Sequence, residues 1–401
     1  MIITSQIKLK RITYYLNCIF LFLAIIDPTR SIFHLTEVVL FLLLTTSFVI
    51  DYSNLKFRYI PLLIFCLFSW AISVSLSISG QSFDEDRKMS LLTAHVFLLY
   101  TLFQNISYNR SYYMFYQVGK IMSYIVVIIG VSLLFFSVIA EKVVLFFAIN
   151  NDTILFNPLG RAFLNVPMLS IFYRTSPMVT LLLPFSFVSY LSTRKRKFFV
   201  DTILFSTNLI FSGTRANIFA CLVILFLVYT YHIKYIKRDS KTFYFICSVS
   251  ICFILYILML LINQTNDLSY ETKAGHLEAS IRLFEKYPIR TILVGFGPGS
   301  IFWTDGWGGT FTSTTELSYI DLIRSYGIIG SLGVLGFYFL SFKSFLKNAY
   351  LNNFYKFSLS VGFIMYLFIA GTNPFLNCAT GYLTLSLYFY MGKNNILNEV
   401  K

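Results

Sequence analysis

Arg215 is the residue best placed to do chemistry in this 401-residue chain, because it interrupts an otherwise almost unbroken apolar run from Phe198 to Ile233. A charge at a bilayer centre costs about 2.5–3.5 kcal/mol, so such a residue faces a partner, a cavity or the interface. This arginine follows the turn Ser212-Gly213-Thr214, where snorkelling to the interface is open to it. Two readings stand together, an interfacial arginine beside a tight turn and a guanidinium that grips an anion. Arg161, Arg174, Lys273, His276, Arg282, Lys286 and Arg290 add positive charge on the same side, with fewer acidic residues near them. Such a set suits a lipid-tailed anion with a phosphate head, since arginine forks match phosphate oxygens. One arginine about 4 Å from a phosphate, at an effective dielectric of about 20, contributes about 4 kcal/mol.

A carboxylate completes the inventory. Ser313 and Glu316 spell a capping box, S-x-x-E, which would merely start a helix. Glu316 at a cavity floor would instead accept a proton from a hydroxyl, and His276 is the second candidate for that role. Asp321 and Arg324, three apart on the same helix, read as a structural pair. The stretch LVGFGPGS, Leu293 to Ser300, lacks the dinucleotide spacing. It reads as a tight turn, or as close approach of backbone at Gly297 to a lipid phosphate. Asp84-Glu85-Asp86 has the D-x-D form of some metal sites but reads as a solvated acidic cluster. The six cysteines have no C-x-x-C spacing and read as apolar fillers, so neither a metal nor a cofactor is expected.

The elements that must position these residues are membrane helices. With 57% hydrophobic and 12% charged residues, and a mean hydropathy of +0.70, the composition excludes a set of soluble domains. About twelve runs approach the roughly 20 residues that a span needs. They centre on 12–27, 32–50, 60–79, 90–105, 120–140, 175–193, 198–212, 216–233, 242–263, 318–341, 356–372 and 376–392. Residues 1–401 thus read as a single all-α polytopic membrane domain. The first run follows Lys8, Lys10 and Arg11 like a signal peptide, but no small-residue cleavage site precedes Asp27-Pro28, so it is expected to stay as a span.

Arg194 to Lys197, and Lys234, Lys237, Arg238 and Lys241, mark cytoplasmic loops, and twelve spans then put both termini in the cytoplasm. Positive charge facing membrane lipids accounts for most of the net +14, so no nucleic-acid partner is needed. Two outer segments, 141–174 and 264–317, exceed what connectors need. The larger carries an amphipathic helix with Leu277, Ile281 and Phe284 on one face and Glu278, Arg282 and Lys286 on another, which suggests an ordered external subdomain lying on the membrane surface.

Four stretches in this order, SGTRAN (Ser212–Asn217), KAGHLEASIRLF (Lys273–Phe284), LVGFGPGS and TELSYIDLIRSYGIIG (Thr315–Gly330), resemble the Wzy-type O-antigen or capsule repeat-unit polymerases of the O-antigen polymerase/ligase superfamily. YRTSP (Tyr173–Pro177) adds to the resemblance, which covers roughly 140–340; earlier residues match only as hydrophobic spans. The resemblance implies a GT-C-like, metal-independent glycosyltransferase of the bacterial inner membrane whose active site faces the periplasm. It would move a growing glycan from undecaprenyl pyrophosphate onto a lipid-linked repeat unit, with a chain-length regulator as a further candidate partner. Arg215 matches the arginine expected to hold the pyrophosphate. Glu316 stands eleven residues before Gly327, where ligases carry histidine, which favours polymerase over ligase. Arg161, Arg174, Lys273, Arg282, Arg290 and Gly297 are then the expected pyrophosphate and glycan contacts. The competing readings are an O-antigen ligase and a lipid-linked oligosaccharide flippase, the latter requiring cations along a mid-membrane path.

Overall fold

The computed structural model describes residues 2–30, 33, 35–50, 71, 82–103, 110–135, 142, 154–163, 166–245, 248, 268–348 and 350–400. In chain order the first helices are α1 (Ile2–Ile26), α2 (Thr36–Ile50), α3 (Glu85–Ala94), α4 (Tyr100–Phe103), α5 (Ser111–Phe135), α6 (Val179–Thr193), α7 (Arg196–Phe211) and α8 (Arg215–Tyr231). There follow α9 (Leu268–Lys286), α10 (Pro288–Leu293), α11 (Ser318–Leu346), α12 (Asn353–Gly371), α13 (Ala379–Met391) and α14 (Ile396–Val400). Two antiparallel hairpins interrupt the helices, β1 (Ile154–Phe163) with β2 (Val166–Tyr173), and β3 (Phe302–Thr304) with β4 (Thr310–Thr312).

Six helices among the described residues are long and apolar enough to cross a membrane: Ile7–Ile26, Ser111–Leu133, Ser176–Thr193, Arg215–Lys237, Ser318–Leu346 and Asn353–Gly371. The expected runs at 60–79 and, for most of its length, 242–263 lie outside the described residues. Four others are shorter than a straight span requires. The 15 residues of α2 cover only about 22 Å of a hydrocarbon core about 30 Å thick. The run at 90–105 is divided between α3, a 3₁₀ segment and α4. In α7 the apolar stretch is cut by buried Asp201, which accepts from the Tyr116 hydroxyl (2.7 Å) and pairs with Lys120 (2.8 Å). The 13 residues of α13 are likewise too few.

The chain divides into two compact units. The first comprises Met1–Phe115, Leu268–Tyr350 and Ala370–Lys401. Its interior is rich in buried tyrosines, and burial is tolerable only where each hydroxyl finds a partner. Tyr100 donates to Asn17 (2.6 Å), while Tyr326 (3.1 Å) and Tyr382 (2.6 Å) both donate to Asn377 Oδ1.

The second unit comprises Tyr116–Asp267 and Leu351–Ile369. Pro184 sits inside α6 and has no N–H for the Thr180 carbonyl. At that carbonyl α12 comes close: a Cβ on Gly362 would lie 2.3 Å from Thr180 O, so the glycine lets the two backbones meet. The segment 141–174, expected as an outer loop, contains the β1–β2 hairpin. Its register shifts between Asn157 and Arg161, where Pro158 and Gly160 break the regular ladder.

Candidate functional site

In the first unit, α9 lies against the β3–β4 hairpin because two glycines allow it. A Cβ on Gly275 would stand 2.5 Å from the Gly306 amide. That contact brings His276 to Thr304, with Nδ1 3.0 Å from Oγ1. His276 is fully buried. Burial pushes its pKa below the usual 6.5; the nearby Asp321 carboxylate pulls it up and the Arg324 cation pushes it down. The imidazole is therefore neutral at neutral pH. One turn earlier on α9, Lys273 reaches Glu316, with Nζ 3.8 Å from Oε2 and each side chain 32% exposed. Arg282, farther along α9, pairs with Asp305 at the hairpin tip, and both are about half exposed.

Glu316 does not act as a capping residue. The N-cap of α11 is Leu317, and the Ser313 hydroxyl donates to Asp84 Oδ2 instead (2.7 Å). Asp84 also accepts from the Arg87 amide (3.0 Å) and so caps α3. The Ser313 hydroxyl and the Arg87 amide hold its carboxyl below the usual carboxylate value. The acidic triplet Asp84-Glu85-Asp86 thus opens a helix, with Glu85 paired to Lys88. Among the described residues no three His, Cys, Asp or Glu side chains gather where they could hold a metal.

The glycine-rich segment is fastened to a break in α11. Gly327 has φ 69° and ψ 177°, which takes the carbonyls of Arg324 and Ser325 out of the regular i to i+4 ladder. Phe296 N donates to Arg324 O (2.6 Å) and Gly297 N to Ser325 O (3.1 Å). The Gly297 amide is therefore committed to α11. The backbones touch closely here, since a Cβ on Gly295 would lie 2.5 Å from Gly327 N. Arg324 clamps the arrangement. Fully buried, it donates twice to Asp321 Oδ1 (3.0 and 2.8 Å), to Ser300 O and Oγ (2.6 and 2.8 Å) and to Ser313 O (2.6 Å), and lies over the Phe302 ring. Arg290, on α10, donates from Nε to Gly295 O (3.0 Å) and covers the Phe296 ring.

The three remaining arginines belong to the second unit. Arg215 is the first residue of α8, after the N-cap Thr214, and is exposed. A cation at a helix N-terminus opposes the macrodipole, at a cost of about 0.3–1 kcal/mol, and an anion bound there reverses the sign. The turn before it is tightly built. Gly213 has φ 62°, and a Cβ there would meet Ser170 of β2 at 2.4 Å. Ser170 Oγ donates to Ser212 O (3.0 Å), and Asn217 Nδ2 to Ser212 Oγ (2.9 Å). Ser212 and Asn217, which flank Arg215 in SGTRAN, thus shape the turn that presents it. Arg174 directly follows β2 and is half-buried, and Arg161 lies on β1 opposite Met168.

The structure accordingly pairs Lys273 with Glu316 and Arg282 with Asp305 along α9, where His276 is buried, and sets Arg290 and Gly297 at the α10–α11 junction. Thr304 escaped sequence reasoning, and Asp84 was read only as part of a solvated acidic cluster, because their partners are remote in the chain: 28 residues separate Thr304 from His276, and 229 separate Asp84 from Ser313. The chain matches no family model and no curated protein.

Proposed function

We propose that this protein is an O-antigen or capsular repeat-unit polymerase, a metal-independent glycosyltransferase of GT-C-like architecture in the bacterial inner membrane. Its site faces the periplasm and both termini are cytoplasmic. The observation that carries the reading is the meeting of Lys273 and Glu316, two residues of motifs far apart in sequence, at the edge of a helix that also holds a neutral His276. An ion pair this exposed contributes about 1 kcal/mol or less. It orients the carboxylate without locking it, and a sugar hydroxyl can replace the lysine.

In the reaction the acceptor hydroxyl attacks the anomeric carbon of the lipid-linked glycan. Its proton passes to Glu316, the new C–O bond forms, and the bond to pyrophosphate breaks with its electron pair leaving on undecaprenyl pyrophosphate. Displacement inverts the linkage and needs no covalent intermediate. The resemblance assigns Arg215 to the lipid-linked diphosphate, whose negative charge a guanidinium counters. The SGTRAN turn supports that role, since it sets an exposed guanidinium on the first residue of α8, at a helix N-terminus where an anion is favoured.

The test is a gel of surface and lipid-linked glycans from cells with and without the gene. Loss of the ladder, leaving core capped by one repeat, is the expected outcome. Polymer retained on the carrier beside bare core would indicate a ligase, and absence of any outward-facing repeat a flippase.

A further inference from the structure

The α9–α10 elbow of the first unit has an outward face that the cluster of Lys273 and Glu316 does not use. Along α9, His276, Ala279 and Ser280 are buried, whereas Glu278, Arg282 and Glu285 are exposed and charged. Between these two faces lie Leu277 and Ile281, 40% and 44% exposed. The outward apolar character continues into α10, where Ile289 is 73% exposed and Ile292 and Leu293 are about half exposed. The apolar flank of this amphipathic helix thus points away from the protein. A soluble protein would bury such a run.

Two observations identify what covers it. First, α10 is joined to α11 through the Gly295–Gly327 contact, and the outward residues of α11, Ile328, Ile329 and Leu332, begin immediately after Gly327. The exposed run of the elbow is therefore continuous with the flank of a helix long and apolar enough to span a membrane. Second, two cations flank the exposed residues of α10 in sequence, Lys286 at the end of α9 and the half-buried Arg290 on α10 itself, which is the charge a phosphate layer requires.

We propose that the elbow is an interfacial anchor: Leu277, Ile281, Ile289, Ile292 and Leu293 enter the boundary between headgroups and acyl chains, and Lys286 and Arg290 face lipid phosphates. The break at Gly327 then lies at the membrane surface, and Glu278, Arg282 and Glu285 face water. Arg290 thereby serves the bilayer and not the glycan pyrophosphate. The assignment is independent of the proposed polymerase activity.

The test uses the full chain with its native cysteines replaced, in nanodiscs of phosphatidylethanolamine and phosphatidylglycerol. Single cysteines from Ile281→Cys, Ile289→Cys, Glu278→Cys and Glu285→Cys carry the NBD fluorophore. The expected result is blue-shifted emission at 281 and 289, quenched by spin-labelled lipid and shielded from iodide, with the reverse at 278 and 285. Ile292→Cys replaces any apolar-side variant that fails to give a monodisperse protein. Equal iodide quenching at all positions overturns the proposal. Shielding from iodide without quenching by lipid also overturns it, since a second copy of the chain would then cover the face.

Discussion

Replacing Arg324 by leucine should open the junction between the glycine-rich segment and α11. The substitution removes five hydrogen bonds, two to Asp321, two to Ser300 and one to Ser313. Leaving the Asp321 carboxylate buried without its guanidinium costs about 3–5 kcal/mol. The Ser300 and Ser313 carbonyls, left unpaired, cost about 1–3 kcal/mol each. Together these approach the whole stability of an ordinary domain, about 5–15 kcal/mol, so the clamp yields locally before it tolerates the loss. Hydrogen exchange by mass spectrometry reads the event directly, because the Phe296 and Gly297 amides are bonded to the α11 carbonyls. A loss of about 3 kcal/mol or more raises exchange there about a hundredfold, at roughly tenfold per 1.4 kcal/mol. The double variant Asp321→Asn, Arg324→Leu removes the stranded charge and should recover most of the pair contribution, but not that of the carbonyls. Unchanged exchange and an unchanged melting temperature in Arg324→Leu would refute the clamp.

Gly327→Ala forces a side chain to φ 69° and sets its Cβ 2.8 Å from Val294 N, so it should lower the melting temperature by more than the roughly 1–2 kcal/mol of backbone strain alone. Gly333→Ala on the same helix meets nothing within 4 Å and should be neutral or stabilising by up to about 1 kcal/mol; equal losses in the two variants would contradict the account. His276 has a pKa lowered on folding, so its contribution to stability is full above the ordinary value of 6.5 and is lost as pH falls below it towards the folded value. Thermal unfolding between pH 8 and pH 5 should therefore show a steeper acid loss in the wild type than in His276→Asn, and parallel curves would overturn that assignment.

Membrane character was legible in the sequence because it depends on composition summed over long runs, and the six apolar helices follow from it. The amphipathic pattern of α9 was legible too, with Leu277 and Ile281 on one flank. Which face turns inward was not: the buried residues are His276, Ala279 and Ser280, since periodicity cannot distinguish a protein core from lipid. The capping box misled because Ser313 had a competing acceptor, Asp84, that only the tertiary fold supplies. The break at Gly327 carries no local signal, as a glycine inside an apolar helix is commonplace in membrane segments. The β1–β2 hairpin was hidden by Pro158 and Gly160, which interrupt alternation where its register shifts. Asp321 and Arg324, by contrast, pair as their spacing suggested.

The central claim is that Glu316 and Arg215 serve glycan transfer. It is tested most directly by incubating purified protein in nanodiscs with a single lipid-linked repeat unit and resolving the products by length. The account predicts a ladder with wild-type protein, and loss of most polymer with Glu316→Gln and with Arg215→Ala, both of which insert and purify normally. A ladder of undiminished length from either variant would contradict the role given to that residue, and no elongation by the wild type would contradict the polymerase reading itself.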